Sequence, residues 1–127
     1  MAGETDLDVM LANLDVEIRP GTFAFVSGDH PEFADAAAAR IEEAEGTTWV
    51  VPVEAAVAAG VAFDFEAAWL TLNVHSALET VGLTAAFSRA LGDVGIPCNV
   101  LAGYYHDHLL VPADRADDAI AALQAMR

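Results

Sequence analysis

Apolar residues recur along this chain with two periods, and the points where one period gives way to the other mark its elements. Leu7, Met10, Leu11 and Leu14 share one helical face, with Asp6 placed to cap the first turn, which predicts a helix over residues 6–14. Arg19-Pro20-Gly21 predicts a turn. Thr22 to Ser27 reads as a short strand, stopped by Gly28-Asp29-His30-Pro31. Residues 32–45 mix two signals. Their alanines predict a helix over the first part, whereas Ile41 onward leads into Thr47–Val51 as a hairpin closed by Glu45-Gly46. The pattern leaves residues 29–39 without a single conformation. Pro52 then opens a helix that Gly60 ends.

The second half is more regular. Trp69 to Val74 alternates Leu70, Leu72 and Val74 with Trp69, Thr71 and Asn73, the pattern of a half-buried strand. A loop follows at His75-Ser76-Ala77. Leu78, Val81, Ala85, Ala86 and Leu91 recur at helical spacing, predicting a helix over 78–91 that Gly92 and Gly95 end. Cys98 to Ala102 is a strand, Gly103 to Asp107 a turn, and His108 to Val111 the returning strand. Pro112 starts a last helix with Ala116, Ile120 and Leu123 facing inward.

The two halves repeat one another. Val51-Pro52 and Val111-Pro112 lie 60 residues apart, each closing a strand and opening an alanine-rich helix. TFAFVSGDH holds the place in the first half that WLTLNVHSA holds in the second. Strand, helix, hairpin and helix in this order is the split βαβ, or ferredoxin-like, arrangement. The expected fold is therefore α+β: two tandem βαββαβ modules, residues 1–61 and 62–127, with antiparallel sheets and helices on one face. The first module is a degenerate copy with a shortened first helix. Neither half supplies its own closing strand, and Val16-Glu17-Ile18 is positioned to fill that gap by pairing across halves, which would interlock the modules into one folding unit.

Composition narrows the partners. Twenty acidic residues face five arginines and no lysine, for a net charge of −15. Such a surface repels phosphate backbones and anionic lipid, so neither nucleic acid nor a membrane is expected as a partner. The acidity itself reads as a solvated surface, of the kind suited to a high-salt cell. A single cysteine, Cys98, forbids an internal disulfide and points to a reducing compartment. The opening residues lack the pattern of a secretion signal, and no apolar run approaches the roughly 20 residues that span a bilayer. The cytoplasm is the expected location.

Two stretches carry candidate chemistry. His75, Ser76, Glu79 and Gly82 follow a strand and lead into a helix, whose first N–H groups favour a carboxylate or phosphate. Ser76 capping the helix and His75 packing is the alternative there. Gly103-Tyr104-Tyr105-His106-Asp107-His108 forms a hairpin tip rich in aromatic and titratable groups, where an ordinary hairpin uses Gly or Asn. It is either a recognition surface or a hairpin packing its tyrosines on the neighbouring module. His106 and His108 share one strand face, so with a third ligand from His75 or His30 they would form a metal site and support a metal-dependent enzyme; no strict ligand spacing favours it. No nucleophile motif, P-loop, dinucleotide fingerprint or CxxC is present, and lysine chemistry is excluded outright. No catalytic residue, metal or cofactor is therefore assigned, and Cys98 reads as a small apolar strand residue.

The run from Val74 to Pro112 resembles the small prokaryotic proteins with tandem ACT domains. The marks are His75-Ser76, Val81-Gly82-Leu83-Thr84-Ala85, Cys98-Asn99-Val100 and the Gly103–His108 tip. The first half matches more loosely through its N-terminal helix, GTFAFVS and EGTTWVVP, and residues 29–39 depart from the pattern. The resemblance implies a non-enzymatic regulatory or sensory protein that binds a small amino-acid-like ligand. It places the ligand by His75, Ser76, Leu78, Glu79 and Gly82, with Asn99, Tyr104, Tyr105, His106 and Asp107 as walls. It also implies a homodimer, and an interaction module without any small ligand is the alternative.

Overall fold

A computed structural model describes residues 6–74 and 82–127. The chain divides into two compact units, Pro20–Ala68 on the one hand and Met1–Arg19 with Trp69–Arg127 on the other.

The unit formed by residues 20–68 is a sheet carrying one short helix. Strand β2 (Phe23–Ser27) pairs antiparallel with β4 (Gly46–Pro52), Phe25 standing opposite Val50, and β3 (Ala39–Glu43) pairs with the other side of β4. The start of β5 (Glu66–Leu72) adds to β2, with Phe23 opposite Ala67. Pro52 caps α2 (Val53–Ala58), and the chain then turns through Gly60 at φ +70°, a backbone conformation costly for any residue with a Cβ. Val26, Trp49 and Val51 extend from one sheet face onto Phe33 and Ala56 to make the core.

Here the structure corrects the sequence reading of residues 32–45. No regular helix follows Glu32. Pro31–Phe33 makes one 3-10 turn, the Ala37 N–H closes a single further turn on Phe33, and by Ala38 the chain already donates to Val50 of β4. Pairing with β4 overrides the helix propensity of the alanines. Phe33 anchors the turn, buried with its ring 6.3 Å from that of Trp49 and edge-on to it. The hairpin loop is also one residue earlier than expected: Glu43 faces Gly46, so Ala44 and Glu45 form the tip.

The other unit begins with α1 (Leu7–Ala12). Its Asp6 cap accepts from the N–H groups of Asp8 and Val9 at 3.0 and 3.3 Å, and its buried residue is Met10. Leu14 is buried just beyond it. Strand β1 (Val16–Ile18) pairs antiparallel with β5, Val16 opposite Leu72, which is the pairing expected of Val16-Glu17-Ile18. Strand β7 (Asp107–Pro112) lies beside β5 and pairs with β6 (Asn99–Ala102). Helices α3 (Leu83–Asp93) and α4 (Ala116–Gln124) pack on each other, and α4 reaches β1 and β7. Leu70, Leu72, Phe87, Leu91, Leu109, Ala119 and Leu123 are fully enclosed. Ile120, expected inward, is only half-buried, and Ala119 takes the inner position.

Two further expectations change. Strand β5 starts three residues before Trp69, and Trp69 is itself buried at 5% exposure, so the strand is covered on both faces there. Of the helix expected over 78–91, residues 78–81 lie outside the described residues; the described helix begins at Leu83, and Gly82 before it has φ +109°. Both repeats share the Val-Pro junction: β4 and β7 each end in a proline that leads directly into helical turns.

Candidate functional site

The alternation of β5 sends Trp69 and Thr71 to one face, opposite to Leu70 and Leu72. His108 on the neighbouring β7 meets both. The Trp69 indole Nε1–H donates to His108 Nδ1 at 3.2 Å, and the Thr71 hydroxyl lies 3.0 Å from the same nitrogen. The Trp69 and His108 rings are 5.2 Å apart. The Arg19 guanidinium lies 5.2 Å above the Trp69 ring, and the Arg19 N–H donates to the Trp69 carbonyl. Four residues from three segments thus form one polar and aromatic patch.

The electrostatics follow from this packing. An indole N–H can only donate, so Nδ1 of His108 is an acceptor and the proton of the neutral ring is on Nε2. Burial holds His108 below its usual range, the positive charges of His106 and Arg19 act in the same direction, and Asp107 partly offsets them. Asp107 moves the other way: burial raises its carboxyl, against the pull of His108 and His106. Burial also raises the Cys98 thiol, which is free and half-buried; the residue lies just before β6 and not, as expected, within the strand.

The hairpin tip is tighter than its sequence suggests. The Gly103 N–H donates to the His106 carbonyl, leaving Tyr104 and Tyr105 as the two tip residues, neither with positive φ. Both are exposed, and their rings stand edge to face with centroids 4.9 Å apart. Gly103 is needed for close approach, since a Cβ there would lie 2.9 Å from the His106 carbonyl oxygen and 3.2 Å from His108 Nε2.

Of the residues singled out in the sequence, His75, Ser76, Leu78 and Glu79 lie outside the described residues. Gly82 precedes α3 and packs towards Leu7. Asn99 begins β6, exposed, its side-chain amide donating to the Leu110 carbonyl at 3.4 Å. Tyr104, Tyr105, His106 and Asp107 are together at the tip. Among the described residues, no three His, Cys, Asp or Glu side chains converge as a metal site would require, and no helix is long and apolar enough to cross a membrane. The sequence reading missed Arg19, Trp69 and Thr71. Its only signal for them was the facing pair of patterns, Trp-x-Thr on one strand and His-x-His on another.

Two family models described as ACT domain match the chain in tandem, over residues 2–68 and 64–125. No curated protein matches it. Among solved structures, a Vibrio cholerae protein of unknown function, titled a possible transport protein, is 40% identical over 85% of each chain, with a TM-score of 0.80. The ligand-free regulatory subunit of aspartate kinase from Thermus thermophilus is 15% identical, covering 88% of this chain and 95% of its own, with a TM-score of 0.61. The corresponding subunit from Thermus flavus is 13% identical over 99% of each chain, with a TM-score of 0.57. At such identities the kinase subunits show a shared fold alone. With an ACT match on each half and a 40%-identical relative along most of its length, the chain belongs to the ACT-domain family.

Proposed function

We propose that this protein is a non-catalytic regulatory or sensory module that binds a small amino-acid-like effector. The observation that carries the reading is the tandem ACT match over both halves, joined by the fold that the chain shares with aspartate kinase regulatory subunits. In this reading the modules are residues 1–61 and 62–127, and the effector belongs to the second. Its carboxylate would meet backbone N–H groups near Ser76 to Glu79, and its ammonium a carboxylate such as Glu79 or Asp107, with Gly82 beside them. His75, Leu78, Asn99, Tyr104, Tyr105 and His106 complete the proposed walls. The cytoplasm is the proposed compartment, which suits the free thiol of Cys98.

Thermal-shift and calorimetric screening with the twenty amino acids tests this reading. A true effector at about one hundred times its Kd raises stability by about 2.7 kcal/mol, and Asp107→Asn reduces the effect. No stabilisation by any amino acid at millimolar concentration overturns the proposal.

A second reading, a homodimer that acts through its interface alone, has a specific observation in its favour. Strand β6 pairs with β7 and, among the described residues, has no other strand beside it. Its Val100 and the neighbouring Tyr104 and Tyr105 are exposed. A free strand edge of this kind invites pairing with another chain. Light scattering on the wild type and on Val100→Lys separates the two: a dimer lost in the variant, without any response to amino acids, supports the interface reading.

A further inference from the structure

A second concave surface lies in the unit formed by residues 20–68. It is an open groove of about 410 Å3 lined by Glu32, Phe33, Ala36, Ala55, Ala58 and Ala59. The shortened first helix accounts for it. Where the other unit packs the 11-residue α3 against α4, this one sets only the 3-10 turn Pro31–Phe33 beside α2, and Ala58 and Ala59 remain exposed.

The rim decides what fits. The flanking segments 29–36 and 53–59 carry Asp29, Glu32, Asp35 and Glu54 and contain neither lysine nor arginine. The other titratable group is His30, whose Nδ1 is 3.6 Å from the Glu32 carboxylate and whose ring lies tilted against that of Phe33, with centroids 5.2 Å apart. A ligand with its own carboxylate is repelled here, whereas an ammonium gains a charge-assisted hydrogen bond at Glu32. The alanine methyls and Phe33 favour a compact hydrocarbon body. Small-molecule sites span roughly 300–1,000 Å3, which includes this groove. A docked partner helix is a poorer match, because six-residue α2 is only about 9 Å long.

We propose that this groove binds a small organic cation, an amine with a compact apolar body and no carboxylate, its ammonium at Glu32 and its body over Phe33 and Ala58. The site is separate from the amino-acid site proposed above, and the two differ in the ligand they accept, so either can fail without the other.

The test is a titration of the uniformly 15N-labelled full chain with cyclohexylammonium, cyclohexanol and cyclohexanecarboxylate, followed by NMR. Cyclohexylammonium is expected to give saturable shifts at the amides of Glu32–Ala36 and Ala55–Ala59. The Trp49 indole N–H, which donates to the Gly28 carbonyl at 2.8 Å beside Phe33, shifts with them. Cyclohexanol binds more weakly and the carboxylate not at all. Glu32→Gln weakens the amine by up to about fivefold. Ala58→Leu fills the groove and abolishes binding, and the same spectra show that this exposed helical substitution leaves the fold intact. Absence of saturable shifts at millimolar amine overturns the proposal. So do shifts that spread over the whole acidic surface or that persist unchanged in Ala58→Leu. Saturation of these amides by a cationic helical peptide but not by the amine also overturns it, and makes the groove a protein interface.

Discussion

The indole N–H of Trp69 donates to Nδ1 of His108 across 3.2 Å, and this bond is compatible only with an imidazole that lacks a proton at Nδ1. Protonating His108 would set two N–H groups against each other, in a partly buried position where Arg19 and His106 already add positive charge. The patch is therefore organised around a neutral histidine.

The first prediction is a stability that falls in mild acid because of His108. Its folded-state pKa lies below the ordinary 6.5, so between those two values the unfolded chain binds the extra proton. The contribution is present above about pH 6.5 and is lost as pH falls through the folded-state value. Asp107 acts with the opposite sign. Its raised carboxyl contributes stability below 3.8 that is lost as pH rises through its folded-state value. In His108→Asn the Asn Oδ1 can accept from Trp69 but cannot titrate. Denaturant titrations from about pH 7.5 to about pH 5 are expected to show the wild type losing more stability than the variant. Parallel curves would contradict the role given to His108.

A second prediction concerns the donor. Trp69→Phe keeps most of the buried ring and removes the N–H, so the neutral form of His108 loses one of its two hydrogen-bond donors. The His108 titration, followed by NMR of the ring carbon proton, is expected to move up towards 6.5. The substitution costs about 1–2 kcal/mol in lost packing and stacking. Thr71→Val, which removes the other group at Nδ1, is expected to move the titration in the same direction.

The separation of 39 residues between these partners explains why the patch was hard to read from sequence. Local periodicity placed Trp69 and Thr71 on the polar side of a half-buried strand, and their identities as members of one face were right. What periodicity cannot convey is which strand lies alongside. Once β7 brings His108 next to β5, the polar side becomes an enclosed one and Trp69 is buried. The repeated Val-Pro junctions and the Asp6 cap were legible because both are local devices. Residues 32–38 were misread for the converse reason: alanine propensity is weak, and the non-local pairing of Ala38 and Ala39 with Val50 outweighs it.

Gly103 gives a third prediction. Its missing side chain leaves room for the His106 carbonyl, which is backbone and cannot swing aside as a flexible side chain could. Gly103→Ala is expected to cost about 1–3 kcal/mol and to shift the ring resonances of His108, whose Nε2 is the next nearest atom. A fully stable variant with an unchanged His108 spectrum would show that the turn has more freedom than this geometry allows.

The last prediction separates backbone strain from crowding at Gly82. Gly21 and Gly82 both have positive φ, at +85° and +109°, but a Cβ on Gly21 meets nothing within 4 Å whereas one on Gly82 comes within 3.1 Å of Leu7 Cδ2. Alanine at either position incurs the left-handed penalty of about 1–2 kcal/mol. The extra contact at Gly82 is with the far end of a leucine side chain, which can give way by changing rotamer. Gly82→Ala is therefore expected to exceed Gly21→Ala by only a few tenths of a kcal/mol. In a double-mutant cycle with Leu7→Ala the coupling should be favourable and equally small. Were Gly82→Ala instead to cost several kcal/mol, with most of it recovered in the double mutant, α1 would hold Leu7 rigidly against the start of α3. Strain would then be the lesser reason for glycine at the head of that helix.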